Sequence, residues 1–195
     1  MRLAAEVDGL AAELAASRAR VAELEARVDI DPLTDIVNRR GFERELKRSL
    51  AYVKRYGTSA ALIYLDLDSF KPINDRHGHA AGDAVLKAVA AALTHNMRAS
   101  DVVARVGGDE FAVLMWNAGA DEAAAKGAAL ETAVYRAPVR WNSSTLNVGV
   151  SAGVALLLPL DAPAEVLARA DAAMYARKRQ RRPAAGPPAA VAARQ

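Results

Sequence analysis

The segment Asp66-Leu67-Asp68-Ser69-Phe70-Lys71-Pro72-Ile73-Asn74-Asp75-Arg76-His77-Gly78-His79-Ala80-Ala81-Gly82-Asp83 follows directly on the aliphatic run Ala60-Ala61-Leu62-Ile63-Tyr64-Leu65, and the reading of that junction decides the fold. The run is β-compatible and ends in two carboxylates separated by one residue, which a strand's period of two sets on one face. Acids at a strand's end make a place to bind something. A second segment, Arg105-Val106-Gly107-Gly108-Asp109-Glu110-Phe111, reads as apolar strand, Gly-Gly, apolar strand, with Val102, Val103 and Val106 before the turn and Phe111, Ala112, Val113 and Leu114 after it. Two-residue hairpin turns favour Gly because both central residues take positive φ. The expectation is a tight turn that displays Asp109 and Glu110.

The chain's 195 residues and 52% apolar content allow one ordinary domain with a real core plus an appendage. Its net charge of +3 is concentrated near the C-terminal end, in Arg177, Lys178, Arg179, Arg181 and Arg182. With no Cys there are neither disulfides nor thiolate metal sites, which fits a reducing compartment. No apolar run approaches the roughly 18 residues of a membrane span, and no signal-peptide h-region opens the chain. The sequence reads as cytoplasmic, with no membrane partner.

In residues 1–29 Leu3, Val7, Leu10, Leu14, Ser17, Val21, Leu24 and Val28 recur at alternating spacings of four and three. That is a heptad seam, and mostly β-branched a positions with Leu at d favour a parallel two-stranded coil. The expectation is a dimerising, signalling helix; the alternative is an amphipathic helix packed on its own domain. Asp31-Pro32 then breaks the helix, and a domain over residues 30–182 begins. Its order is a polar loop, a helix to about residue 55 with Phe42, Leu46, Leu50 and Val53 on one face, the first strand, and a short helix over residues 70–75 that tolerates Pro72 in its first turn. Next come a helix over residues 79–97, the hairpin, a helix over 121–135, a strand over 147–158 and a last helix over 164–178. Residues 183–195, rich in Pro and Ala, are expected to be a disordered tail. Strands alternating with helices plus one hairpin argue for an α/β or α+β sheet flanked by helices.

Asp66, Asp68, Asp109 and Glu110 meet only if the first strand and the hairpin are sheet neighbours. Oxygen ligands of that kind suit Mg²⁺ or Mn²⁺ rather than zinc, held by a couple of carboxylates with substrate phosphates completing the shell. An Asp-x-Asp pair alone is equally a pair of solvated strand-end acids. Its combination with Gly107-Gly108-Asp109-Glu110-Phe111 carries the argument.

These residues resemble the GGDEF-domain diguanylate cyclases, named for the letters spelled by Gly107 through Phe111. The likeness runs from the Asp31-Pro32-Leu33-Thr34 loop with Asn38-Arg39-Arg40, through both segments above, to Val150-Ser151-Ala152-Gly153-Val154-Ala155 and Ala170-Asp171-Ala172-Ala173-Met174-Tyr175-Ala176-Arg177-Lys178. It implies a palm-like, nucleotidyl-cyclase-type domain that makes cyclic di-GMP from two GTP with loss of two pyrophosphates, using two Mg²⁺ or Mn²⁺ ions per active site. By the same resemblance Asp66, the Leu67 carbonyl and Asp109 are expected metal ligands, with Glu110 on a second ion. Asp109 is also a candidate base, although metal-lowered hydroxyl acidity makes a separate base dispensable. Asn74 and Asp83 are expected to read guanine: an acceptor-only carboxylate takes the N1 and N2 protons that adenine does not supply there. A family variant that makes mixed cyclic GMP-AMP carries Ser at the position of Asp83. Lys71 is expected to stabilise charge on the reacting phosphates, and Lys178 and Arg182 to hold the terminal ones. His79 falls near the ribose or base, or simply opens its helix.

Arg98-Ala99-Ser100-Asp101, with Asp101 six positions before Gly107, matches the family's product-inhibition site; for the tetrapeptide by itself a surface i,i+3 ion pair is the ordinary explanation. Because each domain of the family holds one GTP, catalysis is expected to need a homodimer, which the coil would supply, with an upstream sensor or partner outside this chain. Asp35 stands where the family's opening loop carries Gly, and Arg177 and Arg181 replace a small residue and a glycine. A silent domain that only binds GTP or cyclic di-GMP is the competing reading. A coiled-coil protein with a basic nucleic-acid-binding end accounts only for the termini, so no nucleic-acid partner is expected.

Overall fold

A computed structural model describes residues 13–14 and 29–181. Apart from Leu14, helical and 53% exposed, the residues named in the heptad seam lie outside the described residues, as do Arg182 and the tail. Among the described residues no helix is long and apolar enough to cross a membrane.

The short strand β1 (Val37–Asn38) leads into α1 (Arg39–Tyr56), whose first turn is capped by the Asn38 side chain accepting from Gly41 N at 3.0 Å. Its last turn closes on Gly57, in the left-handed conformation at φ 66. Then follow β2 (Ala60–Asp68), α2 (Phe70–His77), α3 (His79–His95), β3 (Val102–Arg105), β4 (Glu110–Trp116) and α4 (Ala120–Tyr135). A small hairpin of β5 (Val139–Trp141) and β6 (Ser144–Leu146), then β7 (Gly149–Leu156) and α5 (Pro163–Arg181), complete the described chain. The main sheet has the order β1-β3-β4-β2-β7, with β1 parallel to β3 and every other pair antiparallel. This is a mixed α+β sandwich.

Strand period two explains the layering. Ile63, Leu65 and Leu67 of β2 point into one core with Phe111, Val113, Val85, Val89 and Leu130. Leu62, Ala112 and Leu114 face the other core, with Phe42, Leu46, Leu50 and Val53 of α1 and Val166 and Ala170 of α5. Asp66 and Asp68 share the parity of Leu62, so they emerge at the end of the face that α1 and α5 cover.

Two expectations need correction. Neither Gly107 nor Gly108 has positive φ; among the described residues the positive-φ glycines are Gly57 and Gly78. The turn is wider than a two-residue hairpin, running over residues 106–109, with Val106 N and Gly107 N both donating to Glu110 O at 2.9 and 3.3 Å. Gly107 instead leaves room for a neighbouring carboxylate: a Cβ there would lie 2.2 Å from Glu110 Oε2, so the Glu110 side chain would have to move. The β5–β6 pair was also not expected, because its strands are only three residues each. Asp35 does adopt positive φ, 57°, a conformation Asp tolerates better than most residues.

Candidate active site

Register builds the acidic edge. In the β2–β4 ladder Asp66 stands opposite Glu110, and beyond the last pair Leu67 N donates to Asp109 O at 3.1 Å. From α5, Lys178 forms an ion pair with Asp66 and lies 3.4 Å from the Leu67 carbonyl oxygen. Burial, opposed by Lys178 but reinforced by the charges of Asp109 and Asp68, holds the Asp66 carboxyl above the usual carboxylate range. Asp68 accepts from Ser151 Oγ at 2.8 Å and has Arg181 at 3.8 Å. Tyr64, two residues before Asp66 on the same face, hydrogen-bonds with Glu110; burial and then that carboxylate push its hydroxyl up to about 12.

On the opposite side of the hairpin tip is a cleft of about 380 Å³ whose lining includes Lys71, Asn74, His79, Asp83, Arg105 and Asp109. The chain reaches it by a sharp bend at Ser69, φ 58, which ends β2 and starts α2. Helices α2 and α3 then pack closely, and Asn74 lies directly over Gly82: a Cβ on Gly82 would sit 1.9 Å from Asn74 Oδ1. A flexible side-chain end can yield at little cost to folding, but it leaves the cleft. Gly82→Ala should therefore shift Tm by only a few degrees; on the reading that Asn74 holds a guanine, it should also weaken guanine-nucleotide binding by about tenfold, the loss of one good hydrogen bond. Calorimetric titration alongside a melting curve checks both numbers.

Arg105 locks the tip in place. Its Nη2 and Nε donate to Gly108 O at 2.8 and 3.3 Å, and Nη1 donates to Asp31 Oδ1 at 3.2 Å. Asp31 in turn accepts from Thr34 N and Thr34 Oγ1 at 2.9 and 2.6 Å, so the opening loop and the hairpin form one unit. Burial alone would raise the Asp31 carboxyl, but Thr34 and Arg105 outweigh it and hold the group below its ordinary 3.8. Glu131 of α4 behaves alike: burial raises it, Arg177 and the Ala152 amide overcome that, and it stays below 4.5. A carboxyl with a depressed folded value adds stability above its ordinary value and loses it as pH falls through the folded one. Melting temperature should thus decline as pH drops below about 4.5, and Glu131→Gln should make that decline shallower.

Arg98 and Asp101 do not ion-pair with each other. The Asp101 carboxylate accepts from the backbone N–H groups of Arg98 and Trp116 at 3.1 and 3.2 Å. The exposed Arg98 side chain borders clefts of about 370 and 490 Å³, away from the acidic edge. Sequence reasoning missed Tyr64 and Glu131 and gave Arg105 no task of its own. A polar residue at an inward-facing strand or helix position was the available signal for the first two.

The donor set at the edge fits a cation, because Lys178 already brings positive charge to Asp66 and the Leu67 carbonyl, two of the expected ligands. Among the described residues no three His, Cys, Asp or Glu side chains form a ready-made metal cage. Mg²⁺ is commonly held by one or two carboxylates with substrate oxygens completing its shell.

The fold and this edge define a nucleotide-cyclase-like domain of the GGDEF class. The family model "Diguanylate cyclase, GGDEF domain" matches residues 28–184, and the chain belongs to that family. It is 40% identical over 187 residues to diguanylate cyclase TpbB of Pseudomonas aeruginosa, covering 93% of this chain and 43% of that protein, so it spans less than half of this relative's length. Among solved structures, the coiled coil and GGDEF domain of DgcB from Caulobacter crescentus, in complex with c-di-GMP, is similar at TM-score 0.79 and 31% identity over 93% of this chain and 97% of that one. Diguanylate cyclase SiaD of Pseudomonas aeruginosa, in complex with its activator SiaC, is similar at TM-score 0.76 and 30% identity, covering 90% and 69%.

Proposed function

We propose that the domain over residues 30–182 is a diguanylate cyclase that condenses two GTP into cyclic di-GMP and two pyrophosphates. The observation that carries this reading is the Asp66–Glu110 register, which sets paired acids beside a cleft holding Asn74, Asp83 and Asp109. In each half-reaction the 3′-oxygen of one GTP bonds to the α-phosphorus of the other, the bond from that phosphorus to the bridging oxygen breaks, and pyrophosphate departs with its electron pair. The hydroxyl proton passes to solvent or to a carboxylate at the edge.

Asn74 and Asp83 hold the guanine, with His79 at the mouth of α3; Asp83 accepts from N1 and N2 and so selects GTP over ATP. Asp66, the Leu67 carbonyl, Asp109 and Glu110 would hold divalent cations, Mg²⁺ or Mn²⁺. When bound, such ions polarise phosphoryl oxygens and lower the hydroxyl pKa. Lys71 balances charge on the reacting phosphates, and Lys178, with Arg182, holds the terminal ones.

Two such domains must face each other, and the heptads of residues 1–29 would join them in a parallel homodimer and pass on the state of an upstream sensor or activator. Product binding at Arg98 and Asp101 would restrain the enzyme; the carboxylate must exchange its backbone contacts for the ligand. An activity that consumes GTP would work in the cytoplasm. Incubation with GTP and Mg²⁺, with cyclic di-GMP and pyrophosphate followed by chromatography, tests the proposal across a range of protein concentrations. Product should appear with wild type and fall sharply with Asp83→Ser; wild type that binds GTP without turning it over would make the chain a binding module.

A further inference from the structure

We infer that Glu131, Arg177 and Arg181 are positioning residues that hold Lys178 at the acidic edge. This rests on the cyclase reading for what Lys178 does, but the clamp itself is visible without it. The buried residues of α5 are Val166, Ala170 and Met174, spaced four apart, and Lys178 is the next position on that stripe. The apolar anchor therefore stops one turn short of the residue that matters. A terminal helical turn frays unless something holds it, and a free lysine carries about 2 kcal/mol of rotamer entropy.

Glu131 supplies the anchor from α4. It is nearly buried, 5% exposed, and its carboxylate takes a two-pronged contact from Arg177, Nε to Oε1 at 3.2 Å and Nη2 to Oε2 at 2.9 Å. Arg181 lies 3.5 Å from Glu131 Oε2. These two arginines flank Lys178, one residue before and three after.

The clamp also closes the sheet. β7 pairs with β2 along one side only, so its other side carries unpaired backbone groups. Glu131 Oε1 accepts from Ala152 N at 3.0 Å, and Arg181 donates to Val150 O. Carboxylate and guanidinium thus cap the open edge of the strand and fasten the end of α5 to it with charge-assisted bonds. Arg181 also comes within 3.8 Å of Asp68 Oδ2, which ties the same turn to the end of β2.

Because the clamp acts through Lys178, its removal should be felt by phosphates and not by the base. In Arg177→Ala, affinity for a GTP analogue with an uncleavable α,β-methylene bridge should fall roughly three- to thirtyfold, while affinity for guanosine, which has no phosphates, stays unchanged. Hydrogen exchange in residues 175–181 should quicken with no nucleotide present. In a Lys178→Ala background the same substitution should add nothing to the loss of analogue affinity. Glu131→Gln, which keeps an acceptor for Ala152 N but removes the charge, should repeat the pattern if Arg177→Ala fails to fold. Equal losses with and without Lys178, or a parallel loss of guanosine affinity, would overturn the inference. An active wild type with an unaltered Arg177→Ala variant would sink this inference alone. A wild type that makes no product and binds no analogue would remove the cyclase reading and the role of Lys178, whereas exchange at residues 175–181 would still report the clamp.

Discussion

Asp66→Asn should give a folded protein whose cyclic di-GMP production is lower by about a thousandfold, equivalent to ~4 kcal/mol of transition-state stabilisation. Stability should barely change. Asp66 is one of three neighbouring acids, and burial already disfavours its charge, so replacing it with a neutral isostere relieves repulsion as it sacrifices the partly exposed pair with Lys178. The loss therefore falls on chemistry. The asparagine keeps the shape of the edge but removes the charge that the two proposed divalent cations would need. Chromatographic product rates at saturating GTP and Mg²⁺, paired with a melting curve, separate the two quantities. A variant retaining more than a tenth of wild-type turnover would mean that the paired acids of β2 and β4 are not the reacting centre.

The second large effect is at Gly153. A Cβ there would lie 2.1 Å from Met174 N, 2.2 Å from Ala170 O and 2.6 Å from Met174 Cα. These are backbone atoms of α5, so no rotamer change can relieve the clash, in contrast to Gly82, where a side-chain tip yields. The helix has to lift from β7, its main support, at a cost of ~2–4 kcal/mol. For a domain of this size Gly153→Ala should lower Tm by about 5–15 °C. Turnover should fall as well, because Lys178 lies one turn beyond Met174 and moves with it. Differential scanning calorimetry checks the first statement and product assays well below the new Tm check the second; an unchanged Tm would mean that α5 does not rest on β7 this closely.

Local pattern made much of this protein legible. The apolar stripe of α1, the aliphatic run of β2 and the helix end near residue 55 each depend on near neighbours, and the elements they define appear where expected. Positive φ at Asp35 and tolerance of Pro72 in the first turn of α2 are likewise backbone matters, settled within a few residues. The acids were legible as a set because strand parity alone puts Asp66 and Asp68 on one face. Family likeness then supplied roles that spacing could not.

Contacts across long stretches of chain were a different matter. Lys178 reaches Asp66 over 112 positions, Arg105 reaches Asp31 over 74, and Arg177 reaches Glu131 over 46. Which charge finds which depends on how helices settle on a sheet, and a charged letter carries no record of its eventual partner. The glycines make the same point. Gly107 has no positive φ, and the carboxylate of Glu110 leans over it, while Gly153 is small because α5 passes against it. Periodicity and backbone preference act over a few residues and are written in order along the chain; clearance and charge pairing arise only when distant segments come to occupy the same space.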